Sequence, residues 1–494
     1  MTLTSFTFLC FLLAVGLVYY ILPGRCQWMV LLIASIAFYY SSGGWAVLAF
    51  LLYGIFITYL GALVLERSYR EPVKKLFTVG FTIFTLLPLF LLKYIRFFGF
   101  EAPFGTLAPL GISFYTMTIL GYVLDVSRGI VPAQKNLFKH ALFTSYFPQM
   151  VSGPITRYPE MEPQLFRKHA FDYQQVTFGA QRILWGFFKK LVISERLATV
   201  VNQIYDQYPA YPGWYLIVGT VCFAFQLYTD FSGCMDIVLG ASQALGITLP
   251  ENFTCPYFSR NISEYWRKWH ITLGTWFKDY VFYPLLKSSP WVAFTDWSKK
   301  RFGKKKGKKL PLYTGMLVLW FSVGMWHGGS WNYIVGSGLL HWFYIVSGEL
   351  LTPVFKKLIS LMRIQTETFS WRFYQALRTF FLVNIGFVFF RAPSLKTALS
   401  ILKSIACKWN PEILFDRSLF QLLSAQDWVV LFVSLMLLLL ISALQEKNVR
   451  IRETLARQNL AFRWCIYLLL FVVVLIFGCY GGDYDAAAFI YQQF

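Results

Sequence analysis

Runs of about twenty apolar residues recur along this chain, and they limit its fold more than any single motif does. A bilayer core takes about 20 apolar residues as a helix, and backbone groups inside it must be satisfied within the protein. The runs are Leu3–Leu22, Trp28–Tyr40, Ala46–Leu65, Leu76–Tyr94, Leu107–Val126, Val176–Ile204, Tyr215–Leu245, Leu312–Trp331, Asn332–Leu350, Phe373–Phe390, Trp428–Leu444 and Trp464–Tyr480. They predict an all-α, polytopic integral membrane protein of about 11–12 transmembrane helices, with interfacial or re-entrant helices besides. Trp28–Tyr40 is short, and Val176–Ile204 carries Arg182, Lys189, Lys190, Glu195 and Arg196, so either is a candidate for re-entry. Only 14% of the 494 residues are charged, against roughly a quarter in soluble domains. The runs follow one another closely enough for one membrane domain, residues 1–494, rather than several soluble ones. Leu3–Leu22 lacks a basic lead and a small-residue cleavage site, and reads as a first span rather than a signal peptide.

The formal charge is +21, gathered between the apolar runs. Arg67–Lys75, Arg128–Lys168, Lys299–Lys309, Lys356–Arg363 and Lys447–Arg463 all fall on one side if both termini lie outside the cell, as the positive-inside rule requires. The run Lys299–Lys309 reads either as a solvated cluster touching anionic lipid or as an electrostatic funnel for a polyanionic donor. Nothing in the chain resembles a groove-reading module, so nucleic acid is set aside. Cys10, Cys26, Cys222, Cys234, Cys255, Cys407, Cys465 and Cys479 are scattered. No Cys-x-x-Cys or Cys/His cluster suggests a disulfide framework or a metal site. No fixed-period repeat appears, which counts against a repeat-built transporter.

Ionisable groups inside apolar runs carry the functional signal. His327 lies in a hydrophobic hairpin from about Leu310 to Glu349, flanked by Trp326 and Trp331 and followed by Gly328 and Gly329. An imidazole shielded from water stays uncharged and able to accept a proton, which is what a general base needs. Ser330 and Asn332 are near enough in sequence to orient it. The other reading is an interhelical histidine with a purely structural bond. Ser263 to Pro284 predicts one helix with Tyr265, Trp269, Leu273, Trp276 and Tyr280 on one face and Arg267, Lys268 and Lys278 away from it. Such a helix lies in the headgroup plane, with Ser263 as N-cap. His270, at the flank of its stripe, either faces a cavity mouth or only positions the helix. His341, beside Trp342, reads as a membrane-interface residue, and His140 and His169 as loop residues. Asp230 and Asp236 fall inside a predicted span and need partners, Arg182 or Arg267, or a place on a proton or ion path. Proline breaks cluster between Tyr146 and Pro163 and between Pro250 and Pro256. No Gly-x-Ser-x-Gly is present, so a serine hydrolase is not indicated.

Five motifs occur in order: Pro109-Leu-Gly-Ile-Ser-Phe-Tyr115, Met150-Val-Ser-Gly-Pro-Ile-Thr-Arg-Tyr158, Tyr228-Thr-Asp-Phe-Ser-Gly233, Trp266-Arg-Lys-Trp-His-Ile-Thr-Leu273 and Met325-Trp-His-Gly328. Together they resemble the membrane-bound O-acyltransferases, in particular the bacterial branch of alginate O-acetylation with its peptidoglycan and teichoic-acid relatives. The terminal Phe489-Ile-Tyr-Gln-Gln-Phe494 resembles that branch's ending. The similarity is strongest over residues 107–342. It implies helices around a central tunnel, a catalytic His327 and a second functional histidine at His270; His341 matches a less strict family position. Lys268 stands where the family often has arginine, and Thr272 and Gly274 where it often has serine.

The resemblance further implies a bacterial inner-membrane acyltransferase with no bound cofactor and no metal. It would take acetyl from acetyl-CoA at the cytoplasmic face and pass it outward. An extracytoplasmic partner of the SGNH-hydrolase type would complete O-acetylation of a polysaccharide. In that picture His327 is general base or transient acyl carrier, and His270 orients thioester or acceptor. Trp266, Trp269, Trp326 and Trp331 shape the tunnel, while Arg267, Asn332 and Asp230 belong to the substrate-binding set. Two other functions fit the residues: a transporter or flippase for a glycan or lipid intermediate, coupled to protons through Asp230 and Asp236, and an acyltransferase of the same family with a lipid acceptor.

Overall fold

The structure, a computed structural model, describes residues 1–68, 70–101, 103, 109–414 and 418–480. The terminal Phe489–Phe494 and the start of the Leu107–Val126 run lie outside the described residues. Among the described residues helices make up the regular structure, with one isolated antiparallel bridge between Phe253 and Trp269. Among the described residues six helices are long and apolar enough to cross a membrane. There are seven if Trp331–Leu350 and Thr352–Leu361, bent by 57°, form one span. The chain is an all-helical, multi-pass membrane protein. The count is lower than the number of apolar runs for physical reasons. Trp28–Tyr40 and Ala46–Leu65 belong to one long helix, Gln27–Arg67, interrupted at Gly43 and Gly44. Phe6–Ile21 and Ile112–Ser127 are apolar but shorter, and Val176–Ile204 is divided by a π-helical turn at Phe188–Ser194.

The chain divides into two compact units. The first comprises Met1–Ser194, Tyr228–Glu251 and Arg450–Phe494. Its amino-terminal helices close over an aromatic core, in which the Phe8 ring meets Phe38 at 6.0 Å and Phe147 at 6.5 Å. Two of the sequence motifs meet here. Gly111 opens the Ile112–Ser127 helix at φ +68°, and a β-carbon on it would run into the carbonyl of Met150. Left-handed backbone and lack of space both call for glycine. His140 is no loop residue: it is fully buried on Leu137–Ser145, with Nε2 2.9 Å from the Thr58 hydroxyl and its ring against Tyr122.

Glycines also set a close helix contact elsewhere in this unit. β-Carbons on Gly179 and Gly186 would lie 2.5 Å from the carbonyl oxygens of Gly240 and Gly233. Small residues of this kind let two backbones approach, and the approach brings buried charges together. Lys190 Nζ lies 2.5 Å from Asp230 Oδ1, and Lys189 Nζ 2.6 Å from Asp236 Oδ2. Arg182 Nε donates to Asp236 Oδ1 at 2.9 Å while its other nitrogens clasp Glu251. Arg182 is thus a partner of Asp236, as the sequence suggests. The partner of Asp230 is Lys190, and Arg267 sits exposed in the other unit.

The second unit comprises Glu195–Leu227 and Asn252–Val449. Ser263–Pro284 is not one helix but two, Ile262–Lys268 and Ile271–Phe277, continued by a π-helical turn. Asn261, not Ser263, is the N-cap, its Oδ1 accepting from the Glu264 amide at 2.8 Å. Tyr265, Trp269, Leu273, Trp276 and Tyr280 are all buried, so the stripe faces protein rather than headgroups. Nor is Lys299–Lys309 a loop. Helix Ser289–Gly307 carries most of it, turning at Gly303 (φ +77°), and Lys309 starts the next helix.

Candidate active site

His327 ends the helix Lys309–His327, where Gly328 turns extended (φ −179°, ψ 145°). A β-carbon on Gly328 would collide with the ring of Tyr333, so glycine lets that ring lie over the turn. Asn332 fastens the turn: its Oδ1 accepts from Ser330 Oγ, and its Nδ2 donates to the carbonyls of Ala392 (2.9 Å) and Phe389 (3.3 Å). Further down, a β-carbon on Gly324 would meet Ile334 Cα at 2.7 Å, and one on Gly338 the Trp320 carbonyl at 2.5 Å. Gly336 likewise leaves room for Phe389. These glycines bring Lys309–His327, Trp331–Leu350 and Phe369–Arg391 into one tight bundle around the imidazole. His327 is 3% exposed, with Phe390 edge-on at 5.4 Å.

His270 sits at the break between two helices, at φ +46° and ψ +52°. A non-glycine residue held left-handed is uncommon, and such strain gathers at functional sites. Asn252, from the Pro250–Pro256 break, holds it there. Its Oδ1 accepts from the amide and hydroxyl of Thr272, both at 3.0 Å, and its carbonyl accepts from the Ile271 amide at 3.1 Å. The same Oδ1 is 3.4 Å from His270 Nδ1. The second helix is thereby capped from a distant loop. Burial pushes the His270 imidazole down to about 3, so it is neutral near pH 7.

One indole joins the two histidines. The Trp326 ring lies 5.6 Å from His270 and 5.0 Å from His327, edge-to-face with both. In the sequence these histidines are 57 positions apart (327 − 270 = 57); the fold sets them on one side chain. Trp266 is 4.9 Å from both Trp320 and His341, and Trp269 stacks on Tyr265 at 5.5 Å. His341 is therefore no interface residue: it is 3% exposed, beside Trp266, Trp320 and Gly386. Its match to a family histidine was the one sequence signal for it, while Asn252 and Trp320 had none. Trp331, by contrast, is 54% exposed, Arg267 is exposed, and Asp230 belongs to the first unit in its pair with Lys190. Among the described residues no three His, Cys, Asp or Glu side chains are grouped to hold a metal.

The sequence profile of the membrane-bound O-acyltransferase family matches residues 131–294, a stretch that includes His270. A protein of Azotobacter vinelandii described as "probable alginate O-acetylase AlgI" is 31% identical over 417 residues, covering 80% of this chain and 75% of that one. A peptidoglycan O-acetyltransferase of Helicobacter pylori is 29% identical over 413 residues, covering 76% and 73%. A teichoic acid D-alanyltransferase of Bacillus subtilis is 30% identical over 285 residues, covering 56% and 68%. The chain belongs to the membrane-bound O-acyltransferase family, and it is a multi-pass membrane enzyme of acyl transfer.

Proposed function

We propose that this protein is an O-acetyltransferase of the bacterial inner membrane that works as one domain, with residues 107–342 as its motif-bearing core. It takes acetyl from acetyl-CoA on the cytoplasmic side and delivers it for O-acetylation of an envelope polysaccharide outside. A secreted or membrane-anchored partner of the SGNH-hydrolase type completes the transfer. The observation that carries this reading is the pair of buried imidazoles, His270 and His327, set against the single indole of Trp326. Relatives described as a probable alginate O-acetylase and a peptidoglycan O-acetyltransferase support acetyl as the group moved and an envelope polymer as its acceptor. Asp230 and Asp236, on which proton-coupled transport would depend, already hold Lys190, Lys189 and Arg182, which supports the enzyme over the transporter.

In this reading the imidazole of His327 accepts the proton of the acceptor hydroxyl. The oxygen attacks the thioester carbonyl, the carbon–sulfur bond breaks, and the departing thiolate takes the proton from the imidazolium. An ester and free thiol result, and the base is regenerated. Such assistance contributes about 10²–10⁴-fold. His270, held by Asn252, orients the thioester, and Trp266, Trp269 and Trp326 form the walls of the passage. The test is purified protein in nanodiscs with radiolabelled acetyl-CoA and the partner. Wild type should release CoA and label the partner or glycan, and His327→Ala should do neither while remaining monodisperse. Undiminished transfer by His327→Ala would remove it from the mechanism.

A further inference from the structure

The helix Ser289–Gly307 has no part in the imidazole cluster, yet it carries the densest charge in the chain. Between Lys299 and Lys309 it and the following residues hold Lys299, Lys300, Arg301, Lys304, Lys305, Lys306, Lys308 and Lys309. Lys299 is paired with Asp296 at 2.9 Å and Lys309 with Glu349 at 2.8 Å. The other six form no close ion pair among the described residues, though Lys300 lies near enough to Asp296 to act on its carboxylate, and all six are exposed. Gly303 turns the backbone, and Gly307 comes back against Ser298, where a β-carbon would meet the Ser298 carbonyl. Lys304, Lys305 and Lys306 are thus displayed on the turn.

Aromatic surface accompanies this charge. Trp297 is 54% exposed and Phe302 49%, with Trp297 stacked on Phe294 at 5.9 Å and edge-on to Phe302 at 6.0 Å. Val292, on the same helix, is exposed as well. On the inner side, Trp291 Nε1 donates to the Pro311 carbonyl at 3.1 Å, which ties this helix to the start of Lys309–His327. That helix is apolar from Leu310 onward and about 28 Å long at 1.5 Å per residue, close to the thickness of a bilayer's hydrocarbon core. The basic segment thus lies at the amino-terminal end of an apolar helix that is not itself among the six long and apolar enough to cross a membrane. Cations beside half-exposed Trp and Phe there suit anionic headgroups above and acyl chains below.

We propose that Ser289–Gly307 is a docking surface for anionic phospholipid, which fixes the depth of the helix ending in His327. This interaction does not depend on the acyl-transfer reading, because lipid contact is measured directly. Wild type and a variant with Lys300→Gln, Arg301→Gln, Lys304→Gln, Lys305→Gln, Lys306→Gln and Lys308→Gln are placed in nanodiscs of phosphatidylcholine with brominated phosphatidylglycerol or brominated phosphatidylcholine. Trp297→Phe, made in each, isolates the Trp297 emission by difference.

The expected result is stronger quenching of Trp297 by phosphatidylglycerol in wild type. Phosphatidylglycerol enrichment should fall at least tenfold in the glutamine variant and weaken at high salt, where charges are screened. An unchanged size-exclusion profile separates this loss from misfolding. Equal quenching by both lipids in wild type would overturn the proposal. So would enrichment that survives all six substitutions. A Trp297 emission blind to either lipid but altered by acetyl-CoA would assign the surface to the donor instead, and that too overturns it.

Discussion

The two units bury polar groups in opposite ways. In the first, Arg182, Lys189 and Lys190 meet Asp230, Asp236 and Glu251, and every charge has an opposite charge within 3 Å. In the second, His270, His327 and His341 lie against the rings of Trp266, Trp320, Trp326 and Phe390. Taking a charge out of water is costly, and a buried pair holds only while both partners remain. An uncharged side chain avoids that cost. The contrast teaches that burial alone does not mark a site. The charge cluster lies where Gly179, Gly186, Gly233 and Gly240 bring two helices together, whereas the ring cluster gathers three imidazoles among indoles.

Four tests press on this contrast, beginning with the largest expected effect. His327→Ala should lower acyl transfer by about 10²–10⁴-fold and leave thermal unfolding near wild type. A large loss of stability with it would make that histidine a brace like the first unit's ions. Asp230→Leu should cost about 3–5 kcal/mol by stripping Lys190 of its carboxylate, seen as a lower melting temperature in detergent. Adding Lys190→Met should restore much of it. If Asp230→Leu instead kept its stability and lost only activity, the charges would belong to the mechanism.

Asn332→Ala removes both amide bonds to the Phe389 and Ala392 carbonyls. A loss of about 1–3 kcal/mol follows for buried carbonyls left without donors, with activity falling as the turn after His327 loosens. The smallest effect separates backbone from imidazole at His270. Both His270→Gly and His270→Ala should be inactive. The glycine variant should be the more stable by about 1–2 kcal/mol, because only it is at ease in left-handed backbone. Equal stabilities would mean that the loop around Asn252 relaxes when the imidazole is gone.

Much of the molecule was legible in the residues. Lys309–His327, Trp331–Leu350, Phe369–Arg391, Ala425–Glu446 and Leu460–Phe477 lie where the apolar runs predict helices, since hydropathy is a local property. His327 and His270 stood out because an ionisable group in such surroundings is conspicuous. The break at Trp269–His270 was not legible: helical spacing of Tyr265, Trp269 and Leu273 continues through it, and its cause is Asn252, eighteen residues earlier (270 − 252 = 18). His341 was misplaced for the same reason, as its neighbours Trp266 and Gly386 come from other helices.

The sequence by itself determined that this chain is a helical membrane protein and that a few histidines stand apart within it, because length, apolarity and local motifs need no knowledge of distant contacts. Only the tertiary structure decided that Trp326 joins His270 to His327, that Asp230 serves Lys190, and that the lysine run is a helix. Each of these depends on how closely two separated backbones approach, and glycines at the crossings and an asparagine cap set that approach.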